Sequence, residues 1–174
     1  MKVKRAASIP LILHDPYFSI WSGTDKLYDS DTVHWCGKRQ KIRGYITIDG
    51  ESFCFMGDKE FHQVIPQTGI ELTATGTKYT FENEKVILTA AFTSPLLLEE
   101  PVLISRPCTY VDFEVVRKAG EADVTIDVQI SADLVRFTPG AVVGGSYRTD
   151  DFSYAVMGKA EQKPLGHSGD NITI

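Results

Sequence analysis

Ile42, Gly44, Ile46 and Ile48 alternate with Arg43, Tyr45 and Thr47, and a period of two recurs through most of the chain beyond them. Successive side chains of a strand point to opposite faces, so such a stretch buries one face only when it is extended. Asp49-Gly50-Glu51 then supplies turn chemistry, because glycine takes a positive φ without steric cost. Residues 52–57 resume as a strand, with Phe53 and Phe55 opposite Cys54 and Met56. Both of its faces are apolar, which predicts a strand lying between two packed layers. The pair reads as a hairpin.

The same signal continues downstream. Ile70, Leu72 and Ala74 alternate with Glu71, Thr73 and Thr75 until Gly76 breaks the run. Tyr79 and Phe81 lead to the polar turn Glu82-Asn83-Glu84, and Val86, Leu88, Ala90 and Phe92 form the next inward face. Val111, Phe113 and Val115 are predicted to pair with Val124, Ile126, Val128 and Ile130 across the turn around Lys118-Ala119-Gly120. Phe152, Tyr154 and Val156 mark a last strand. No window holds ten residues of helical periodicity with caps, so little helix is expected. Many short strands separated by turns predict an all-β fold, an antiparallel β-sandwich. At 174 residues, 43% hydrophobic and 24% charged, the chain has an ordinary globular composition.

Two stretches depart from the alternation. Residues 11–41 hold both tryptophans among charged and small residues, and 94–107 hold three prolines, which predicts an extended connection. The expected organisation is a loop-rich N-terminal segment, 1–41, packed on a sandwich domain, 42–174. Asp170-Asn171-Ile172-Thr173-Ile174 reads as a strand that stops as it begins, as in a chain cut from something longer.

Charge and cysteine usage narrow the partners. Eighteen basic against 23 acidic side chains give a net charge of −5, unsuited to general binding of a phosphate backbone. The single local basic run is Lys38-Arg39-Gln40-Lys41 with Arg43. No apolar run approaches the ~20 residues that span a bilayer, so neither nucleic acid nor membrane is an expected partner. A native start at Met1 implies a cytoplasmic chain, and removal of a leader implies an exported one. Cys36, Cys54 and Cys108 form an odd set with no CxxC, so neither a disulfide framework nor a zinc site is written here. The plain reading is buried free thiols in a reducing compartment.

Signals for chemistry are sparse. No GxSxG elbow occurs, and His14, His34, His62 and His167 show no metal-ligand spacing, so no metal site is expected. The acidic doublets Glu99-Glu100 and Asp150-Asp151 put adjacent carboxylates on opposite faces of an extended chain and read as solvated charge. The glycine-rich run 140–145 lacks the Lys-Ser/Thr of a phosphate loop and reads as a flexible connection. Asn171-Ile172-Thr173 fits a glycosylation triplet, a pattern common by chance. No catalytic residue is assigned. The one constellation that stands out is Tyr17, Trp21, His34 and Trp35. Its rings suit three roles: packing under a long loop, contact with another domain, or a platform for a ligand such as a sugar.

The order of short motifs carries a resemblance. Ile9-Pro10-Leu11 precedes Asp15-Pro16-Tyr17-Phe18-Ser19-Ile20-Trp21, then Thr32-Val33-His34-Trp35-Cys36-Gly37-Lys38-Arg39-Gln40. Gly44-Tyr45-Ile46-Thr47-Ile48-Asp49-Gly50, Phe55-Met56-Gly57 and Leu72-Thr73-Ala74-Thr75-Gly76-Thr77-Lys78-Tyr79-Thr80-Phe81 come next. Thr93-Ser94-Pro95, Ser105-Arg106-Pro107-Cys108-Thr109-Tyr110 and Asp127-Val128-Gln129-Ile130-Ser131-Ala132-Asp133 complete the series. In this order the chain resembles the N-terminal region of the glutaminase A-like family of fungi and bacteria, over residues 9–133.

The resemblance implies a β-sandwich region ahead of a helical toroid similar to those of some glycoside hydrolases. Characterised relatives hydrolyse L-glutamine to glutamate and ammonia, generally without a cofactor, and the toroid is the expected seat of catalysis. This chain is then a noncatalytic accessory region whose partner is the downstream toroid, with the small-molecule substrate belonging to the parent hydrolase. Cys36 and Cys108 depart from the pattern, standing where Thr and a small residue are expected. The alternative is a carbohydrate-binding accessory module using Trp21 and Trp35. A self-contained enzyme has the least support.

Overall fold

A computed structural model describes residues 6–118, 120–136 and 139–161. The strands are β1 (Ile9–Asp15), β2 (Phe18–Ser22), β3 (Val33–His34), β4 (Ile42–Ile48), β5 (Glu51–Met56) and β6 (Gln67–Leu72). They continue with β7 (Gly76–Glu82), β8 (Val86–Thr93), β9 (Tyr110–Arg117), β10 (Val124–Ile130), β11 (Val142–Arg148) and β12 (Ser153–Lys159). A helical turn, α1 (Pro101–Ile104), and a 3-10 turn at Ala132–Val135 are the helical elements among the described residues. The fold is an all-β sandwich of antiparallel sheets. The chain divides into two compact units, Met1–Gln129 and Ile130–Ile174.

The first unit holds three sheets, ordered β1-β2-β3, β10-β4-β5 and β6-β7-β8-β9. The alternation read in the sequence is realised: Val86, Leu88, Ala90 and Phe92 of β8 are all buried, as are Ile42, Ile46 and Ile48 of β4. Across the sandwich, Phe55 of β5 meets Phe81 of β7 and Phe113 of β9, with ring centroids 5.7 and 5.6 Å apart. Phe55 also lies over Gly44 of the paired strand, where an added Cβ would come within 2.4 Å of its ring. The first sheet joins the four-stranded one through Thr77 of β7, whose hydroxyl donates to the Pro10 carbonyl at 2.7 Å.

Several expectations need correction. The predicted pairing of 111–115 with 124–130 does not form. β9 pairs instead with β8, setting Val115 against Leu88, Phe113 against Ala90 and Val111 against Phe92. β10 belongs to the sheet of β4. Between them the chain crosses from one sheet to the other, held by Lys118 N–H to the Lys85 carbonyl at 2.8 Å and by Asp49 N–H to the Asp123 carbonyl at 2.9 Å. Alternation marks faces and says nothing about which strand lies alongside.

Other differences are local. The N-terminal segment read as loop-rich carries β1, β2 and β3 beside its loops. The connection 94–107 contains α1, started by Pro101 at its first position. The glycine-rich run read as flexible enters β11, which pairs with β12 from Val142 opposite Lys159 to Arg148 opposite Ser153. Cys54 is buried, but Cys36 and Cys108 are exposed, against the expectation of buried thiols. The predicted strand at 170–174, His167 and the glycosylation triplet lie outside the described residues.

The second unit, among the described residues, is the β11–β12 hairpin with the 3-10 turn lying against β12. Tyr147 and Tyr154 face each other across the hairpin and stack at 5.1 Å.

Candidate functional site

Asp15-Pro16-Tyr17 turns the chain between β1 and β2. The Asp15 carboxylate accepts the backbone N–H of Tyr17 at 2.7 Å and of Phe18 at 3.1 Å, an Asx turn that leaves the Pro16 carbonyl without a strand partner. A second tight turn faces it. β3 runs into a hairpin closed by Gly37 N–H to the His34 carbonyl at 2.8 Å and His34 N–H to the Lys38 carbonyl at 2.7 Å. Gly37 has φ +87°, the left-handed position that ends a three-residue hairpin loop. Trp35 and Cys36 therefore sit at its tip, both exposed.

The two turns meet at one oxygen. His34 Nε2 lies 3.0 Å and Trp35 Nε1 2.7 Å from the Pro16 carbonyl oxygen. A carbonyl only accepts, so Nε2 carries the imidazole proton and Nδ1 is left with its lone pair. Nδ1 then accepts the Cys36 backbone N–H at 3.3 Å and faces Cys36 Sγ at 2.9 Å. The His34 ring is fully buried, and that burial is the main force lowering its pKa below the usual 6.5. The Pro16 hydrogen bond opposes that shift, Lys38 adds to it and Asp15 opposes it.

The four candidates do not converge as a set. His34 and Trp35 share Pro16, with ring centroids 5.4 Å apart. Tyr17 is half-buried and joins the group through its backbone. Trp21 stands opposite Val33, whereas His34 stands opposite Ile20, so Trp21 occupies the other face of the β2–β3 ladder. It is half-buried and donates its indole N–H to Ser19 Oγ at 2.6 Å. Cys36 is the residue that sequence reasoning missed. Its contact depends on the turn at Gly37, and only the His-x-Cys-Gly spacing could have pointed to it.

Several other titratable groups have structural partners. Asp31 takes Lys41 at 3.8 Å and Arg43 at 3.5 Å, and Glu60 takes Arg43 at 2.6 Å, so the basic run is partly neutralised. His14 Nε2 lies 3.0 Å from Thr109 Oγ1, its ring stacked on Phe18. Glu99 and Glu100 stand exposed ahead of α1, and Asp150 and Asp151 at the tip of the β11–β12 hairpin. Among the described residues no three His, Cys, Asp or Glu side chains gather to hold a metal ion.

Residues 75–174 match the family model described as a domain of unknown function, DUF5127. The chain belongs to this family. Residues 2–66 of this DUF5127 chain match a second domain of unknown function, DUF4964, which includes β1 to β5 and the Pro16–His34–Cys36 turns. Over 156 residues the chain is 26% identical to Glutaminase A of Aspergillus oryzae (strain ATCC 42149 / RIB 40). That similarity covers 84% of this chain and 23% of the relative, in its N-terminal region. The DUF5127 chain thus spans about a quarter of the curated relative's length. No solved structure matches it.

Proposed function

We propose that this region is a noncatalytic accessory sandwich of a glutaminase-like hydrolase, docking against a downstream catalytic domain of the same polypeptide. The observation that carries the reading is the coverage: similarity to Glutaminase A runs through 84% of this chain and 23% of that protein. Hydrolysis of a side-chain amide needs a proton donor for the departing ammonia and donors for a tetrahedral oxyanion. On this reading both lie outside this region.

The β11–β12 hairpin supplies a surface for docking. Val143 and Tyr147 of β11 share a face with Tyr154 and Val156 of β12, and all four are exposed. Phe152, beside them at the turn, is 61% exposed. Contiguous apolar surface of this kind marks an interaction site, and a lone two-stranded hairpin gains stability when its face is covered. The sugar-binding alternative asks for two tryptophan rings exposed together, and Trp21 on the opposite face of its ladder fits that poorly.

The test expresses residues 1–174 and the polypeptide downstream of them as separate chains. Co-elution on gel filtration, lost in the Tyr147→Ser/Tyr154→Ser double variant, is the expected result. Separate elution of the unsubstituted pair contradicts the docking.

A further inference from the structure

Three thiols in one chain stand in three different surroundings. Cys54 is buried, donates to the Met56 carbonyl at 3.5 Å, and has its pKa pushed up by burial. Cys108 is exposed, with no imidazole in hydrogen-bond contact among the described residues. Cys36 is exposed and its sulfur lies 2.9 Å from a ring nitrogen that the fold keeps unprotonated.

We propose that Cys36 is a base-assisted nucleophilic thiol, the chain's site of covalent modification by small uncharged electrophiles, with His34 taking its proton. A thiolate is the nucleophilic form, so a thiol needs a neighbouring base near neutral pH. Nucleophile, base and orienting group stand here in series: Cys36 Sγ, His34 Nδ1, and the Pro16 carbonyl on Nε2. The tautomer does not depend on the thiol, because Pro16 fixes the proton on Nε2 and the Cys36 backbone N–H also points at Nδ1. Burial favours the neutral ring, so the lone pair is present before the reaction, and the Pro16 hydrogen bond, which favours the protonated ring, supports the proton on Nδ1 during it.

Gln40 lies on the same face of the turn as this base. The Val33–Arg39 bridge sets Thr32 opposite Gln40, so Thr32, His34 and Gln40 share one face, and all three are buried. Both side-chain amide atoms of Gln40 are buried without a protein hydrogen-bond partner. Next to Cys36, the exposed Trp35 indole offers a flat apolar wall.

With an alkyl halide the step is a substitution. The Cys36 S–H proton passes to His34 Nδ1 as sulfur bonds to the electrophilic carbon. The carbon–halogen bond breaks, halide leaves with the electron pair, and the imidazolium returns its proton to water.

The experiment treats the folded chain with iodoacetamide and follows each cysteine by peptide mass spectrometry. At about pH 7, Cys36 is expected to react at least about ten-fold faster than Cys108, a modest share of what a positioned base can supply. The ratio falls toward one at about pH 9, where a thiol needs no base to supply thiolate. His34→Gln brings Cys36 down to the Cys108 rate. Equal rates at about pH 7 in the unsubstituted chain overturn the proposal, as does a folded His34→Gln variant whose Cys36 remains fast. Should that variant not fold, the pH dependence of the Cys36-to-Cys108 ratio in the unsubstituted chain decides: a ratio independent of pH overturns it.

Discussion

Asp49 and Asp123 bond to each other in both directions: Asp49 N–H donates to the Asp123 carbonyl, and the Asp49 carboxylate accepts Asp123 N–H, each at 2.9 Å. This pair fastens the chain where it crosses between the two main sheets. Asp49 also pairs with Lys85, at the turn before β8. It manages this from a left-handed backbone, φ 51°, beside Gly50 at φ 86°, the turn in which Asp-Gly is favoured.

The Lys85 contact is the first cause holding the Asp49 carboxyl below its usual 3.8, and the Asp123 N–H is the second. A carboxylate depressed in the folded state stabilises it above the usual value and loses that contribution as pH falls through the folded value. Asp49→Asn keeps an acceptor for Asp123 and tolerates the backbone, but removes the charge. The variant is expected to melt below the unsubstituted chain at neutral pH, with the gap closing as pH falls below about 4. Thermal melts across that range check it.

Phe55 and Gly44 predict a coupled pair. Phe55→Ala empties the contact with Phe81 and Phe113 and is expected to cost about 3–5 kcal/mol. Gly44→Ala drives a methyl group into the Phe55 ring and costs about 1–3 kcal/mol. Combining Gly44→Ala with Phe55→Leu costs less than the sum of the two single changes, because the shorter side chain yields the space. Urea denaturation of the unsubstituted chain, Gly44→Ala, Phe55→Leu and their combination measures the coupling.

Gln67 pins the loop after β2 to the start of β6. Its side chain accepts Leu27 N–H at 2.8 Å and donates to the Asp25 carbonyl at 3.2 Å, and Lys26 Nζ reaches its backbone carbonyl at 2.9 Å. Gln67→Ala leaves the Leu27 N–H buried and unpaired, a cost of about 1–3 kcal/mol. Faster amide exchange at Leu27, alongside a lower denaturation midpoint, is the expected result.

His34 carries a pH prediction of its own. Burial lowers its pKa below 6.5, so the folded state prefers the neutral ring. Its contribution is present above the usual value and is lost as pH falls through the folded one. A histidine NMR titration should place its midpoint below 6.5 and show the Nε2–H tautomer above it. A midpoint above 6.5 contradicts the buried neutral ring.

Much of this was legible in the residues. The β4–β5 hairpin and the inward face of β8 come from alternation and an Asp-Gly turn, which are local signals. The partnership of β9 with β8 was not, because alternation assigns Val111, Phe113 and Val115 to a face and leaves the neighbour open. β11 was missed because Gly144 and Gly145 dilute its strand signal, and the pairing with β12 supplies what propensity lacks. At the site, His34 and Trp35 were visible as residue types. Their convergence on Pro16, and the thiol on Nδ1, come from two turns that meet in space across the first sheet.

We propose that this region supports glutamine hydrolysis carried out elsewhere in a longer polypeptide. Ammonia release from L-glutamine, measured for residues 1–174 beside the polypeptide extended past residue 174, tests it most directly. Activity in the extended protein and none in the 174-residue chain is the predicted result. Ammonia release by the 174-residue chain alone would contradict it.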